Sequence, residues 1–345
     1  MEFQERFASE EGCREFLFAS RWAEGFVCPG CGEGRAGGET RRHLWVCTRC
    51  GHQTSVTAGT VMHGTRTPLR TWFWAAYLVA THHPGISAKQ LQRQLGLARY
   101  ETAWLILQKL RRAMVAPERS LLREEVEVDE FFLGGLEEGL RGGRQRGKKA
   151  LVGVAIEVRG QGSGRLRLQV LPDASAPSLL AFTQATTEPG ATVHTDGLQS
   201  YRMLPKHGYD HRRRPQSSGA PGEQLLPRAH RAVSNLKAWM HGTHRGVGDE
   251  HLPVYLDEYV FRHNRRATPM AAFQTLLDLG ARHAPTTTAR SPTEPPDPNG
   301  VNRIRTMPVV RLQQSLAAAA DERSALYTTL NHPQVLDSKR TPHAN

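Results

Sequence analysis

The sequence predicts a multidomain protein of the α+β or α/β class, in which a small metal-binding ribbon and a helical segment precede a mixed central sheet flanked by helices. Three observations predict this arrangement. Two CxxC pairs lie near the start of the chain, helical periodicity follows them, and short strand-like runs begin at about residue 124. With 345 residues, the chain is long enough for two or three domains.

The two cysteine pairs indicate a metal site. CPGC contributes Cys28 and Cys31, CTRC contributes Cys47 and Cys50, and residues 32–46 separate the pairs. Each pair can present two thiolates to one tetrahedral ion, and four thiolates leave no open coordination position, so we expect a structural Zn²⁺. The fifth cysteine, Cys13, lies outside this pattern and is predicted to be a small buried side chain.

Pattern and composition divide the chain into five segments. We expect an N-terminal helix over 1–20, the zinc ribbon over 21–62, a helix-turn-helix-like segment over 66–117, a sheet-containing domain over 124–280 and a flexible tail over 281–345. The tail prediction rests on the Pro/Thr-rich run APTTTARSPTEPPDPNG.

The charge balance favours a polyanionic partner. The net charge is +12, and a bias of this size attracts nucleic acid through steering and counterion release, although charge alone is a weak indication. No stretch approaches the roughly 20 apolar residues of a membrane span. The first residues, MEFQERFASEEG, lack the apolar core of a secretory signal, so we expect a cytoplasmic protein without a membrane partner.

Two basic regions are candidate DNA-binding surfaces. Residues 85–115 resemble a helix-turn-helix, and a purely structural helical bundle is the alternative. Its predicted DNA contacts are Gln92, Arg93, Arg99, Tyr100 and Thr102. A later helix ends in a second basic group that could hold the DNA backbone or only its own terminal carbonyls. That group consists of Arg262, Arg265 and Arg266.

Two aspartates occupy positions typical of a catalytic metal site. Asp129 lies inside the strand-like run VEVDEFF, where a carboxylate is costly unless it is paired or metal-bound, and Glu127 shares its strand face. Asp196 ends another such run, VHTD. Acids from adjacent strands can bridge two Mg²⁺ ions for phosphoryl transfer. For each aspartate alone, a strand-end cap or a salt bridge is the alternative interpretation.

A third metal-binding group is expected from a later helix, where HRAVSNLKAW offers His230, Asn235 and Lys237. His230 and Lys237 are seven residues apart, which is two helical turns, so both project on one side as a ligand and a phosphate-contacting lysine. Glu258, on the following helix, is a further candidate for the third ligand.

At these residues the chain resembles the insertion-sequence transposases of the ISXO type, which combine an N-terminal zinc ribbon with a DDE-like core. The matching motifs run in order from about residue 20 to 270: CPGCG, CTRCGHQTSVTAGTVM, VEVDEFFLGG, VHTDGLQSY, VSNLKAWMHGTHRGV and HLPVYLDEYVFRHNRR. The resemblance implies an RNase H-like fold and Mg²⁺-dependent cutting and strand transfer, with Mn²⁺ as a substitute. It also implies terminal inverted repeats and target DNA as partners, a homo-oligomer on DNA and association with the nucleoid.

The resemblance assigns the first two acids and leaves the third group open. Asp129 and Asp196 match the family's first two acids. Many relatives carry Glu seven residues before a Lys, where this chain has His230 before Lys237, and Asn235 competes because Asn also occurs as the third group. Two other functions therefore stay open: a catalytically degenerate zinc-ribbon DNA-binding regulator, and an RNase H-like nuclease.

Overall fold

A computed structural model of the chain describes residues 2–116, 119–134, 149–214 and 225–282. The predicted tail over 281–345 lies outside these residues, except that residues 281 and 282 close the last helix. The predicted N-terminal helix is two helices, α1 (Glu2–Arg6) and α2 (Glu10–Arg21). The break occurs because the Ser9 hydroxyl accepts the backbone N–H of Gly12 at 3.0 Å and so caps a new helix.

The zinc ribbon is a three-stranded antiparallel sheet packed against α2. Its strands, in sheet order, are β1 (Ala36–Glu39), β2 (Trp45–Cys47) and β3 (Gln53–Thr54). The ring centroids of Trp45 and Phe18 are 4.4 Å apart, which joins the ribbon to α2. This aromatic contact gives the small ribbon an apolar surface to pack on.

The helical segment contains three helices: α3 (Leu69–Thr81), α4 (Ala88–Gln94) and α5 (Tyr100–Ala113). The Glu10 carboxylate of α2 accepts the backbone N–H groups of Leu69 and Arg70, both at 2.9 Å, so it satisfies the first turn of α3. The Ser87 hydroxyl caps α4, because it accepts the N–H of Gln90 at 3.2 Å.

The last described helix, α9 (Pro269–Arg282), packs on the N-terminal helices rather than on the sheet domain that precedes it in the chain. The ring centroids of Phe273 and Phe3 are 5.1 Å apart, and the Ser20 hydroxyl donates to the Asp278 carboxylate at 2.5 Å. The predicted sheet domain therefore contributes its final helix to the hydrophobic core at the front of the chain.

The sheet domain contains one mixed sheet. Its strands are β4 (Glu125–Leu133), β5 (Ala150–Arg159), β6 (Gly162–Leu171), β7 (Thr192–Thr195) and β8 (Asp210–Arg213). They lie in the order β6-β5-β4-β7-β8. β4 and β6 are antiparallel to β5, β7 is parallel to β4, and β8 is parallel to β7. This is the predicted RNase H-like arrangement, although the polar edge strand β8 was not predicted.

Helices cover both faces of this sheet: α6 (Ala176–Thr186), the 3-10 helix Gln199–His207, α7 (Pro227–Trp239) and α8 (Leu252–Asn264). Side chains of β5 alternate between the faces, as its strand geometry requires. Val152 and Val154 pack with α7 and α8, whereas Leu151 and Ala155 pack with α6. No helix among the described residues is both long and apolar enough to cross a lipid bilayer.

Candidate active site and metal centre

The four cysteines of the ribbon form one cluster, in which all the sulfur atoms lie within 4.8 Å of one another. The members are those predicted: Cys28, Cys31, Cys47 and Cys50. The sulfur of Cys28 is 3.7 Å from that of Cys50, and the sulfur of Cys31 is 3.6 Å from that of Cys47. Four sulfur donors at these distances fit a tetrahedral Zn²⁺ ion, so the predicted structural metal site is supported.

The backbone shapes both halves of this cluster. Gly32 and Gly51 follow the second cysteine of each pair with φ values of 76° and 69°, which glycine adopts without strain. The backbone N–H of Cys50 lowers the pKa of the Cys47 thiol to about 7, whereas, against the lowering effect of the Glu33 backbone N–H, the Cys50 thiol and burial raise the pKa of Cys31 to about 12. A lowered thiol pKa favours the thiolate, which is the form that binds metal.

Asp129 lies on β4, and Asp196 directly follows the neighbouring parallel strand β7. Glu127 of β4 pairs with His194 of β7. When this register is extended by two residues, Asp196, which directly follows β7, lies beside Asp129, because adjacent strands are about 4.8 Å apart. The Asp196 carboxylate also accepts the backbone N–H of Leu198 at 2.9 Å, which holds it at the end of the strand.

The negative charges of both aspartates affect the pKa of a buried tyrosine, Tyr201. The side chain of Tyr201 is 1% exposed, and its hydroxyl donates to the Glu130 carboxylate at 2.8 Å. Burial raises the pKa of Tyr201 well above its ordinary value, and the negative charges of Glu130, Asp129 and Asp196 raise it further. The charges of both aspartates therefore reach the same buried hydroxyl.

His230 is the predicted third group that contacts an aspartate. Its Nε2 atom is 3.3 Å from Oδ2 of Asp129, and the two side chains are 47% and 13% exposed. The hydrogen bond to Asp129 raises the pKa of His230 against the effect of burial, and the charges of Asp129, Glu127 and Asp196 raise it further. The imidazole thus lies within electrostatic reach of both aspartates.

The other two predicted groups on α7 have different orientations. Lys237 is about 20° around the helix from His230, and Asn235 is about 140° away. The Lys237 ammonium lies 5.5 Å from the ring centroid of Phe131 on β4, the strand that carries the first aspartate. Asn235 is exposed. His230 and Lys237 therefore share the side of α7 that faces β4, whereas Asn235 does not.

Glu258, the remaining candidate for the third ligand, points away from the aspartates. Its Oε2 atom is 2.6 Å from Nε of Arg111, and both side chains are 1% exposed. Among the residues that the structure describes, only the cysteine cluster brings three or more ligand atoms within 4.8 Å of one another. Of these candidates, His230 is the group that contacts Asp129.

Glu127 has a role that the sequence did not reveal. Its side chain is 3% exposed, and its Oε2 atom accepts the backbone N–H groups of Arg228 and Ala229, both at 2.8 Å. The guanidinium of Arg228 donates to Oε1 at 2.9 Å. The carboxylate therefore caps the first turn of α7, the helix that carries His230. The sequence signal was a second acid at the alternate position of an otherwise apolar strand.

The predicted DNA contacts of the helix-turn-helix lie on its surface. Arg93 and Arg99 are exposed, and Tyr100 is 43% exposed, at the turn between α4 and α5. Gln92 has a different role, because its side-chain amide donates to the carbonyl of Leu97 at 3.1 Å and holds the turn. Three neighbouring cation or aromatic side chains thus remain available for DNA.

The predicted basic group at the end of α8 makes contacts within the protein. The Arg262 guanidinium donates to three carbonyls at the end of α3, those of Val79, His82 and His83. Arg265 lies 4.2 Å from the ring centroid of Phe261, and Arg266 donates to two backbone carbonyls. For Arg262 the DNA contact is corrected to a contact between helices, because its donors already have protein partners.

Fold and site together define a protein with a four-cysteine zinc ribbon and an RNase H-like domain of the DDE type. Family models match both parts: residues 8–53 match the transposase zinc-ribbon domain, and residues 121–264 match the ISXO2-like transposase domain. The chain therefore belongs to the ISXO2-like transposases.

Other comparisons add little. No curated protein matches the chain. Among solved structures, the chain is similar to one from the simian T-cell lymphotropic virus intasome in complex with PP2A regulatory subunit B56 gamma. The identity is 14%, the TM-score is 0.27, and the match covers 53% of this chain and 66% of that chain, just under two thirds. At this TM-score the similarity is distant.

Proposed function

We propose that this protein binds the terminal inverted repeats of an insertion sequence and catalyses metal-dependent DNA cleavage and strand transfer. The observation that supports the proposal is the parallel register of β4 and β7, whose extension by two residues would bring Asp129 beside Asp196 within a domain of the transposase family. Oxygen donors of this kind suit Mg²⁺, and Mn²⁺ is expected to substitute.

Three side chains would hold the catalytic metal. Asp129 and Asp196 are the carboxylate ligands, and His230 is the third ligand because it alone among the three candidates contacts an aspartate. When bound, Mg²⁺ supplies the activation of a water or 3′-hydroxyl and the stabilisation of the leaving oxygen. Lys237, on the same side of α7 as His230, would contact a DNA phosphate and orient it.

DNA binding is assigned to the front of the chain. Arg93, Arg99 and Tyr100 are exposed at the helix-turn-helix, and the net charge of +12 supports attraction to a polyanion. These side chains would contact the element end while the sheet domain acts on it. Because strand transfer joins two ends in one complex, the active form is expected to be a homo-oligomer on DNA at the nucleoid.

Cleavage of DNA fragments that contain the natural flanks of the reading frame tests the proposal. The full chain, supplied with Mg²⁺, should nick these fragments at the element ends and join them to a target plasmid. Asp129→Asn and Asp196→Asn should reduce both activities to background and retain DNA binding. Asp210→Asn is the matched control, because Asp210 lies on β8 of the same sheet and is 48% exposed.

Each outcome decides between functions. Cleavage by the Asp129 and Asp196 variants at the wild-type rate would contradict the proposal. Specific DNA binding without cleavage by the wild-type protein would instead indicate a degenerate regulator. Preferential cleavage of RNA–DNA hybrids would indicate an RNase H-like nuclease.

A further inference from the structure

We propose that Glu127 is a positioning residue, which sets the place of His230 against Asp129 by holding the first turn of α7 on β4. The inference rests on the proposed function, because it assigns a role in the same reaction to a residue outside the predicted ligand set. The hydrogen bonds that Glu127 accepts come from the first turn of α7.

The contacts of Glu127 are those of a helix anchor. The first N–H groups of an α-helix have no carbonyl partner within the helix, and a negative charge at that end is favourable. Glu127 supplies a hydrogen-bond acceptor and a negative charge at this end of α7. One of its oxygens accepts the N–H groups of Arg228 and Ala229 at 2.8 Å. The carboxylate lies on the buried face of the central strand, so the start of α7 is fixed to the strand that carries Asp129.

Arg228 extends this anchor to a second element. Its guanidinium pairs with Glu127 at 2.9 Å, and it also donates to the carbonyl of Gly162 at 3.0 Å and to that of Gly160. These glycines flank the turn between β5 and β6. The first turn of α7 is therefore bonded to β4 and to the turn between β5 and β6. These contacts restrain both the distance of the helix from the sheet and its rotation about its own axis.

The anchored first turn of α7 also carries His230 of the candidate metal site. Ala229, whose N–H Glu127 accepts, immediately precedes His230 in α7. On β4, Asp129 lies two residues after Glu127 and so projects from the same face. A shift of the first turn of α7 would therefore change the 3.3 Å contact between His230 and Asp129.

A second buried carboxylate provides a matched control. Glu157 on β5 is also 3% exposed and also pairs with an arginine. The backbone N–H and the guanidinium of Arg165 both donate hydrogen bonds to the Glu157 carboxylate. Its hydrogen-bond partners are Arg123, Arg159 and Arg165, none of which lies in α7. The same substitution at Glu157 removes a comparable buried interaction without disturbing His230.

The test compares Glu127→Asp with Glu157→Asp. Aspartate keeps the charge and shortens the side chain by one methylene, so it cannot reach the first turn of α7 in the present geometry. Mn²⁺ affinity, followed by the electron paramagnetic resonance of free Mn²⁺, should fall about 10-fold in Glu127→Asp, as for other residues that orient a ligand. The rate of DNA cleavage should fall by a similar factor, and Glu157→Asp should change neither.

A double-mutant cycle separates positioning from stability. In a His230→Ala background, Glu127→Asp should cause no further loss of Mn²⁺ affinity or cleavage, because the residue that it positions is gone. Should Glu127→Asp fail to fold, Glu127→Gln keeps the length and one acceptor oxygen and should give a smaller loss in the same direction.

Three results would overturn the inference: an equal loss with and without His230, an equal loss in Glu157→Asp, or no loss in Glu127→Asp or Glu127→Gln. Failure of the proposed function is distinguishable from these. If the wild-type protein does not cleave DNA, the Mn²⁺ titrations of the same variants still decide whether Glu127 acts through His230.

Discussion

Arg111 of α5 and Glu258 of α8 form a buried ion pair that joins the helical segment to the sheet domain. Nε of Arg111 is 2.6 Å from Oε2 of Glu258, with each side chain 1% exposed. The Arg111 guanidinium also lies 3.9 Å from the ring centroid of Tyr255. The element that is expected to bind DNA and the domain that is expected to cut it therefore share a desolvated charge contact.

Breaking this pair should be strongly destabilising. Arg111→Met leaves the Glu258 carboxylate buried without a counter-charge, and we expect a loss of about 3–5 kcal/mol in the free energy of unfolding. The double variant Arg111→Met/Glu258→Leu should recover most of this loss, because it removes both charges. Urea denaturation of the three proteins checks this, and an equal loss in the single and double variants would contradict it.

The zinc ribbon should depend on its metal. Cys28→Ser removes one of four sulfur ligands, so we expect the protein to retain less than one zinc per chain and the ribbon to unfold, because the metal supplies much of its folding energy. Cys13→Ala is the control, since Cys13 is buried outside the cluster. Zinc content by atomic absorption, together with DNA binding, checks the prediction. Full zinc occupancy in Cys28→Ser would contradict the prediction.

The two basic regions should respond differently to mutation. Arg99→Ala removes an exposed cation at the helix-turn-helix and should weaken DNA binding, with the salt dependence reduced by about one counterion. Arg262→Ala should instead destabilise the fold by roughly 1.5–3 kcal/mol for each strong hydrogen bond lost. DNA titrations at several salt concentrations and thermal unfolding separate the two effects. Unchanged stability in Arg262→Ala would be evidence against its helix-joining role.

His244 should make the protein sensitive to acid. Burial lowers the pKa of His244 to about 4. Between about pH 6.5 and 4 the unfolded chain binds a proton that the folded protein does not, so stability falls as the pH falls through this window. The contribution is at most about 3 kcal/mol.

His244→Phe should reduce this sensitivity. The ring packs edge-on against Trp239 at 4.5 Å and Tyr255 at 4.8 Å, and phenylalanine can keep these contacts without a titrating group. We expect the free energy of unfolding to fall less steeply between pH 7 and 4.5 than in the wild-type protein. Parallel curves, measured by urea denaturation at each pH, would show that His244 does not titrate as described.

Local patterns predicted the parts of this protein that local chemistry determines. The cysteine spacing was sufficient for the zinc cluster, because a tetrahedral ion needs only two short knuckles. The apolar runs around Asp129 and in β5 predicted strands, because a buried strand needs a continuous apolar sequence. The convergence of Asp129 and Asp196 was a hypothesis that required the parallel pairing of β4 with β7.

Long-range packing decided the features that the sequence did not predict. The polar strand β8, DHRR, forms by pairing with β7 at the sheet edge, and no apolar alternation marks it. Arg262 seemed suited to DNA because it ends a basic helix, but the open carbonyls of α3 lie next to it in space. The partner of Glu127 is about a hundred residues away, so no local pattern could show that it anchors α7.

The packing of α9 on the N-terminal helices has a consequence for biosynthesis. Phe3 and Phe7 pack against Phe273, which is synthesised much later than either of them. Phe73, Trp74 and Tyr77 of α3 cover part of their apolar surface, and the part that contacts Phe273 stays uncovered until α9 is made. The packing of Phe3 and Phe7 is thus completed only after the sheet domain has been made, and a chain that is cut short before α9 would expose an aromatic surface open to aggregation.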